Sequence, residues 1–361
     1  MFDKWRRFLL AAMALIVACA VVFGMTAPAS AGIQGFPGEE TQYHPVTYSG
    51  GQIHSRTIEG EARDNRGNIL HVWRGADNDN IWISLSNGPA YSLPATAGSP
   101  DQAQTGAAPT VIWTDDGYRG NFRIFHTGTD GHIYQHRIQL TTAYELPATL
   151  PYATQIPNNA RTNTSQPVAA AALPGNSYML AWNSQTNDDI WTMFYDGTTT
   201  TFQSPRLVPN AQSSKAPALA AQVNDGNDSG PWNQVVLAFT GIDEHVYMVR
   251  QQYGTSTWTN PKWTEAWTRY SPSVALSGSG YGVITVSGYD FYVDSLLIKR
   301  NGEVSGLYDD AALFQWTGYS PLAVISGNSL FYVRNGGVSD GLWWKFVTDF
   351  GSWATPPAPQ W

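Results

Sequence analysis

The sequence predicts an all-β fold: a β-propeller of six blades, each a four-stranded antiparallel sheet, with five or seven blades as alternatives. Three observations carry this reading. An apolar strand, a Gly/Asp/Asn turn and an aliphatic-aromatic pair recur about every fifty residues. Val72-Trp73-Arg74-Gly75-Ala76-Asp77 leads to Ile81-Trp82, and Ile124-Phe125-His126-Thr127-Gly128-Thr129-Asp130 leads to Ile133-Tyr134. Ala181-Trp182-Asn183 leads through Asn187-Asp188-Asp189 to Ile190-Trp191, and Ala238-Phe239-Thr240-Gly241-Ile242-Asp243 to Val246-Tyr247. Looser copies end near Leu296 and at Leu342-Trp343. Second, Pro109, Pro167, Pro217, Pro272 and Pro321 each open a small-residue apolar run in step with the aromatic anchors. Third, no stretch of ten or more residues carries a helical stripe, while Gly (34) and Pro (22) are frequent enough for many turns. Short strands repeating at this period make propellers or other closed arrays.

Each element follows from its residues. Proline is tolerated at the first residue of a strand, and small side chains suit the crowded axis of a ring, so the proline-led runs are the innermost strands. The second strands, near residues 70–73, 122–125, 178–182 and 235–239, are apolar at successive positions, as expected when neighbouring sheets cover both faces. The Asx/Gly clusters supply hairpin turns. The third strands begin at the Ile-Trp or Val-Tyr pairs, and residues 199–202 and 256–258 are read as outer strands. Blade one is expected to start near Gln52. Residues 41–48 have no repeat of their own and are expected to pair beside the last repeat, closing the ring.

The ends and the composition bound the rest. Lys4, Arg6 and Arg7, an apolar run over 8–25 and Ala29-Ser30-Ala31 have the order of a cleavable export signal, so residues 1–31 are read as a signal peptide. Residues 32–361 are then a single propeller domain, secreted and bacterial in style. Ile16-Val17-Ala18-Cys19 offers a minority reading, a lipid anchor at the cell surface through Cys19. Cys19 is the only cysteine, so the domain holds no disulfide. Removing Lys4, Arg6, Arg7 and Asp3 takes the formal charge from −8 to −10. An acidic chain without a basic run is a poor nucleic-acid binder, and no second apolar stretch is long enough to span a membrane. The oligomeric state leaves no mark in the sequence.

The motif aromatic-x-Gly-x-Asp-x-x-Ile-Trp, in the copies from Trp73, Phe125, Trp182 and Phe239, resembles the repeat of fucose-binding and tectonin-like propeller lectins of bacteria and fungi. The resemblance implies a glycan partner, with sugars held between adjacent blades against aromatic rings. The residues agree in outline, since a ring takes the apolar face of a sugar and polar side chains take its hydroxyls. Trp73 with Arg74 and Asp77, Trp182 with Asn183 and Asn187, and His126 with Asp130 are the candidate sets. The same rings also suit blade-to-blade packing, and the same Asx residues also suit turns. A glycoside hydrolase is the main alternative. It needs two carboxylates across an axial pocket, with Asp115-Asp116, Glu145, Asp243-Glu244 and Asp309-Asp310 as candidates. An extracellular protein-interaction propeller is the third reading. No metal or other cofactor is expected. His132 and His136 are four apart, about 13 Å along a regular strand, and Asp77-Asn78-Asp79-Asn80 reads as a turn.

Overall fold

The computed structural model describes residues 44–347 except 56, 58, 87, 98–100, 116–119, 223–232, 277–280, 289–292, 300–301, 310–321, 327–328 and 336–341. The expected signal segment lies outside the described residues. Among those residues every regular element is a β-strand, so no helix is long and apolar enough to cross a membrane. The strands form five four-stranded sheets, one five-stranded sheet and a two-stranded ribbon. The six larger sheets are the blades of a propeller.

Blade 1 comprises Gly60–Arg63, Ile69–Arg74, Ile81–Leu85 and Ala90–Ser92. Blade 2 comprises Thr110–Thr114, Asn121–Thr127, Ile133–Ile138 and Thr154–Gln155. Blade 3 comprises Ala169–Leu173, Ser177–Asn183 and Asp189–Asp196, with Thr201–Phe202 and Arg206–Gln212 both on its third strand. Blade 4 comprises Ala218–Gln222, Gln234–Thr240, His245–Gln252 and Lys262–Trp267. Blade 5 comprises Ser273–Leu276, Gly282–Ser287, Val293–Ile298 and Val304–Asp309. Blade 6 comprises Leu322–Ser326, Ser329–Asn335, Leu342–Val347 and, from the other end of the chain, His44–Pro45. His44 stands opposite Trp344 and Pro45 opposite Trp343, the ring closure expected of residues 41–48.

Two boundaries differ from the sequence reading. Blade 1 starts at Gly60, not near Gln52, because Gly51–Gln52 turns back on Thr47–Tyr48 as the separate ribbon. In blade 4 the outer strand is Lys262–Trp267, not 256–258. Trp258 makes only an isolated bridge to Gln251 and is buried in the core between blades 3 and 4, which pulls its segment off the sheet edge.

The second strands of blades 2, 3 and 4 are buried at every position, so each carries core on both faces. One face of blade 2 sends Phe122 and Ile124 towards Val72 and Ile83 of blade 1, while its other face sends Phe125 towards Leu180 of blade 3. The same alternation continues through blades 3, 4 and 5.

The linkers that leave blades 1 to 4 each bend at a buried hydroxyl residue. Thr105, Thr162, Ser213 and Thr268 leave the outer edge of blades 1 to 4, and each is 0% exposed. Their backbone N–H groups donate to the hairpin-turn carbonyls of Asp79, Gly131, Asp188 and Glu244 at 2.8–3.0 Å. The hydroxyls of Thr105, Ser213 and Thr268 accept from the N–H two residues on, at 3.0–3.1 Å, and turn the chain inward to the next proline-led strand. Ser55 makes the same turn ahead of blade 1, accepting from Thr57 N–H at 3.2 Å. In blades 1 to 4 the last residue of the second strand clamps the same linker from inside. Arg74, Thr127, Asn183 and Thr240 donate to the carbonyls of Gly106, Gln166, Ser213 and Tyr270 at 2.7–3.0 Å.

Thr268 also donates to Ser287 O of blade 5 at 2.6 Å. Thr268→Val keeps the shape but strands the Tyr270 N–H and the Ser287 carbonyl. We expect it to lower stability by about 1–3 kcal/mol, with Thr268→Ser close to wild type, both read from urea unfolding midpoints. Equal midpoints for all three proteins would show that the hydroxyl does not hold the blades.

Candidate functional site

The repeated motif builds a hairpin module. In blade 2 the Gly128 N–H donates to His132 O at 2.8 Å, and in blade 4 Gly241 N–H donates to His245 O at 2.8 Å. In blades 2, 3 and 4 a left-handed residue closes the turn just ahead of the third strand: Gly131 (φ 79°), Asp188 (φ 56°) and Glu244 (φ 67°). The glycine opening the turn is required by the ring beyond it. A Cβ at Gly128 would come within 2.6 Å of Tyr134 Cε2, and one at Gly241 within 2.6 Å of Tyr247 Cε2. The turn aspartate receives that ring's hydroxyl: Tyr134 donates to Asp130 and Tyr247 to Asp243, both at 2.8 Å. His132 and His245 place Nδ1 at 2.9 and 3.1 Å from the same carboxylates. Arg161 Nε donates to His132 Nε2 at 2.8 Å, which leaves the proton of a neutral ring on Nδ1, facing Asp130. Burial works against the charge of Asp130 and Asp243, but hydrogen bonds from these Tyr and His groups hold both below the usual carboxylate range.

The sequence-derived candidates are divided by this module. Trp73, His126 and Trp182 occupy equivalent positions opposite Trp82, Tyr134 and Trp191, and all three are buried. Trp73 packs on Val46, Ile53 and Tyr48 at the boundary of blades 6 and 1. His126 is stacked between Tyr134 and His136, and Trp182 lies in the core shared by blades 2 and 3. These rings offer no face to a ligand in this conformation. Arg74 and Asn183 are the linker clamps described above, and Arg74 also pairs with Asp79. Asp77 is exposed at its turn, Asp130 is half exposed within its hydrogen-bonded set, and exposed Asn187 donates to Asp189. The rings that reach the surface are the other members of each pair, Trp82, Tyr134, Trp191 and Tyr247, all half-buried.

The structure shows two clefts that the sequence reading missed, at equivalent places between blades. One, of about 380 Å³, lies between blades 3 and 4. Buried Trp258 forms part of its lining with half-buried Phe194 and Tyr253, and Arg206, Gln203 and Gln251 add polar groups. The other, of about 570 Å³, lies between the outer edge of blade 1 and the 146–152 segment of blade 2. Tyr91 and Tyr152, 46% and 47% exposed, line it with Ser92 and Gln102. Arg206 and Tyr91 hold the same register position, opposite Thr192 and Ile83 on their third strands. Both volumes fall in the range of small-ligand sites. Between blades 2 and 3 the corresponding space is filled by Phe202, which packs edge-on to Tyr195 at 4.9 Å beside the stacked Tyr178. A further aromatic surface lies on blade 4, where Trp263 is 66% exposed and Trp267 packs against His245.

An axial cavity of about 720 Å³ is lined by the innermost strands and their prolines. Asp115, Glu145, Asp243 and Glu244, weighed as hydrolytic groups, do not line it. Asp116 and Asp310 lie outside the described residues, as does the side chain of Asp309. Among the described lining residues the carboxylates are Glu59 and Glu61, both on blade 1. The opposite wall carries none, so a pair spanning the cavity is not formed by the described residues.

No family model matches the sequence, and no curated protein matches it. Solved structures share its fold. The fungal lectin of Aleuria aurantia, described as a six-bladed β-propeller with a novel fucose recognition mode, superposes with a TM-score of 0.57 at 10% identity, covering 84% of this chain and 97% of that one. The BP39L lectin of Burkholderia pseudomallei gives 0.56 at 15% identity over 78% of each chain. A protein of unknown function from Dyadobacter fermentans gives 0.59 at 11% identity, covering 86% and 100%. At these identities the likeness establishes the propeller fold and nothing finer.

The histidine stack has a measurable consequence. Burial pushes His136 down to about 4, only partly offset by the hydrogen bond that its Nδ1 makes to the Pro151 carbonyl, and burial with the nearby His136 pushes His126 well below its usual value. Between about 4 and 6.5 the unfolded chain takes up protons that the folded chain refuses, so stability falls as pH drops through that window. The full loss for His136 alone is about 3 kcal/mol. Blade 4 carries Phe239 in the position of His126, stacked on Tyr247 at 5.4 Å as His126 is on Tyr134. His126→Phe is therefore expected to fold and to lose less stability between pH 7 and pH 4, measured by urea unfolding. An unchanged pH slope would rule out His126 as an acid-sensitive group.

Proposed function

We propose that the protein is an exported propeller that binds glycans in clefts between its blades and does not modify them. The observation carrying this reading is the pair of equivalent aromatic-polar clefts, Phe194/Tyr253/Trp258 with Arg206 and Gln251, and Tyr91/Tyr152 with Ser92 and Gln102. Sugar rings present apolar C–H faces that stack on aromatic side chains, while amide, hydroxyl and guanidinium groups match their hydroxyls. The shared fold with lectins whose structures contain or recognise fucose makes fucosides the first ligands to test. Two separate clefts on one ring would also give avidity for a branched or repeating glycan. Export rests on the order of charges, apolar run and small-residue site in residues 1–31. Exposed Trp263, Trp267 and Ile242 on blade 4 favour a second reading, an extracellular protein-interaction propeller.

A glycan array with residues 32–361 tests the proposal. Saturable binding to one sugar class is expected, weakened about tenfold or more by Tyr253→Ala or Arg206→Ala with the melting temperature nearly unchanged. Tyr91→Ala with Tyr152→Ala should remove a separate set of sites, seen as lower stoichiometry in calorimetry. Trp73→Ala and Trp182→Ala should instead cost about 3–5 kcal/mol of stability, because both rings are core. A folded protein silent across the array would end the lectin reading and leave the protein-interaction one.

A further inference from the structure

Blade 1 departs from its siblings at one place. In blade 2 the entry to the innermost strand and the next pair across the hairpin are Pro109, Val111 and Ile124. In blade 4 they are Pro217, Leu219 and Leu237, and in blade 5 Pro272, Val274 and Ile284. The equivalent residues of blade 1 are Glu59, Glu61 and His71, with Glu61 directly opposite His71. Three apolar core positions are thus replaced by two carboxylates and an imidazole.

These groups lie within ion-pair range of one another, but at separations too long for hydrogen bonds. Glu59 is 1% exposed, and neither of its carboxylate oxygens has a hydrogen-bond partner. His71 Nδ1 also lacks one; it stands 3.5 Å from Glu59 Oε2 and 3.9 Å from Glu61 Oε2. Those separations are long for hydrogen bonds. A buried carboxylate whose oxygens accept no hydrogen bond, with one loose ion pair to His71, is a costly arrangement that a metal cation would relieve. The three candidate ligand atoms lie within 4.8 Å of one another. Around a tetrahedral zinc ion with bonds near 2.1 Å, ligand atoms sit roughly 3.4 Å apart, so small side-chain shifts close the set.

We propose that Glu59, Glu61 and His71 bind one divalent transition-metal ion of the zinc class at the wall of the axial cavity, a site independent of the glycan clefts. Two carboxylates balance the charge of a divalent ion when the imidazole is neutral. The nitrogen ligand favours zinc or cobalt over calcium and magnesium, which prefer all-oxygen sets. Three protein ligands leave a coordination position for water or an anion, and Glu59 and Glu61 both border the cavity. Sequence spacing gave no hint of this site, because its ligands come from two strands and match no local zinc motif. The signal available was a Glu-x-Glu where the other blades place proline and an aliphatic residue.

The test uses chelator-stripped, tag-free protein without sugar, so its outcome is separate from that of the glycan array. Calorimetric titration with zinc chloride should show one saturable ion per chain. Zinc should raise the melting temperature, while magnesium and calcium should not. Cobalt(II) should give visible d–d absorption that zinc abolishes. His71→Ala and Glu59→Gln should each lose the cobalt signal. Should either variant fail to fold, Glu61→Gln, at the cavity wall, should weaken zinc binding by about tenfold or more. A folded wild-type chain that takes up neither zinc nor cobalt saturably overturns the proposal. So does cobalt absorption of undiminished strength in folded His71→Ala.

Discussion

The buried bend that carries the chain off the outer edge of one blade, formed by a hydroxyl residue at each described linker, is the constraint on which the other features depend. A propeller must carry its chain from the rim of one sheet to the axis of the next without leaving backbone groups unpaired in the interior. Ser55, Thr105, Ser213 and Thr268 solve this in the same way, with a side-chain oxygen standing in for a backbone acceptor at a fully buried bend. Thr162 shares the position and the backbone bond, although its hydroxyl is unpartnered. Because the bend is fixed, the following strand begins at a set distance from the axis, and its register with the second strand follows.

The clefts are a by-product of that geometry. Sheets anchored at a crowded axis diverge toward the rim, and the gap must be filled by loops between the third and outer strands. Where the loop brings in Phe202, the gap closes against Tyr195. Where it brings Tyr253 and Trp258, or Tyr152, a cleft with aromatic lining remains. Recognition is thus decided by the least regular parts of the repeat, and the regular parts hold them in place.

This explains which features were legible in the sequence. Inner strands, second strands, hairpin turns and ring closure are set by local rules, and Pro109, Gly128, Asp130 and the 41–48 segment announced them. The repeated aromatic motif was visible too, but its meaning was not. Of each facing pair, the ring on the second strand is buried between blades and the ring on the third strand reaches the surface. Telling them apart requires knowing which strand has sheets on both sides. Arg74 and Asn183 look like ligand-binding groups in sequence, yet each clamps a carbonyl about thirty residues away, and Arg74 also pairs with Asp79 of its own turn. Trp258 looked like part of an outer strand because an aromatic residue among threonines has strong β-propensity. Burial in the core between blades outweighed that preference.

The pairing of His44–Pro45 with Trp343–Trp344 has a consequence of another kind. In blades 1 to 5 every strand follows its neighbour along one continuous stretch of chain, while blade 6 is assembled from segments about 300 residues apart. The circle is therefore fastened by a two-residue hydrogen-bonded clasp in place of a peptide bond. Folding must bring together segments about 300 residues apart, a long-range step of the kind that slows β proteins. An opened clasp exposes two complementary edges on one molecule, and each edge fits the opposite edge of a second copy equally well. Strand exchange between rings at high concentration is the failure mode built into this way of closing a circle.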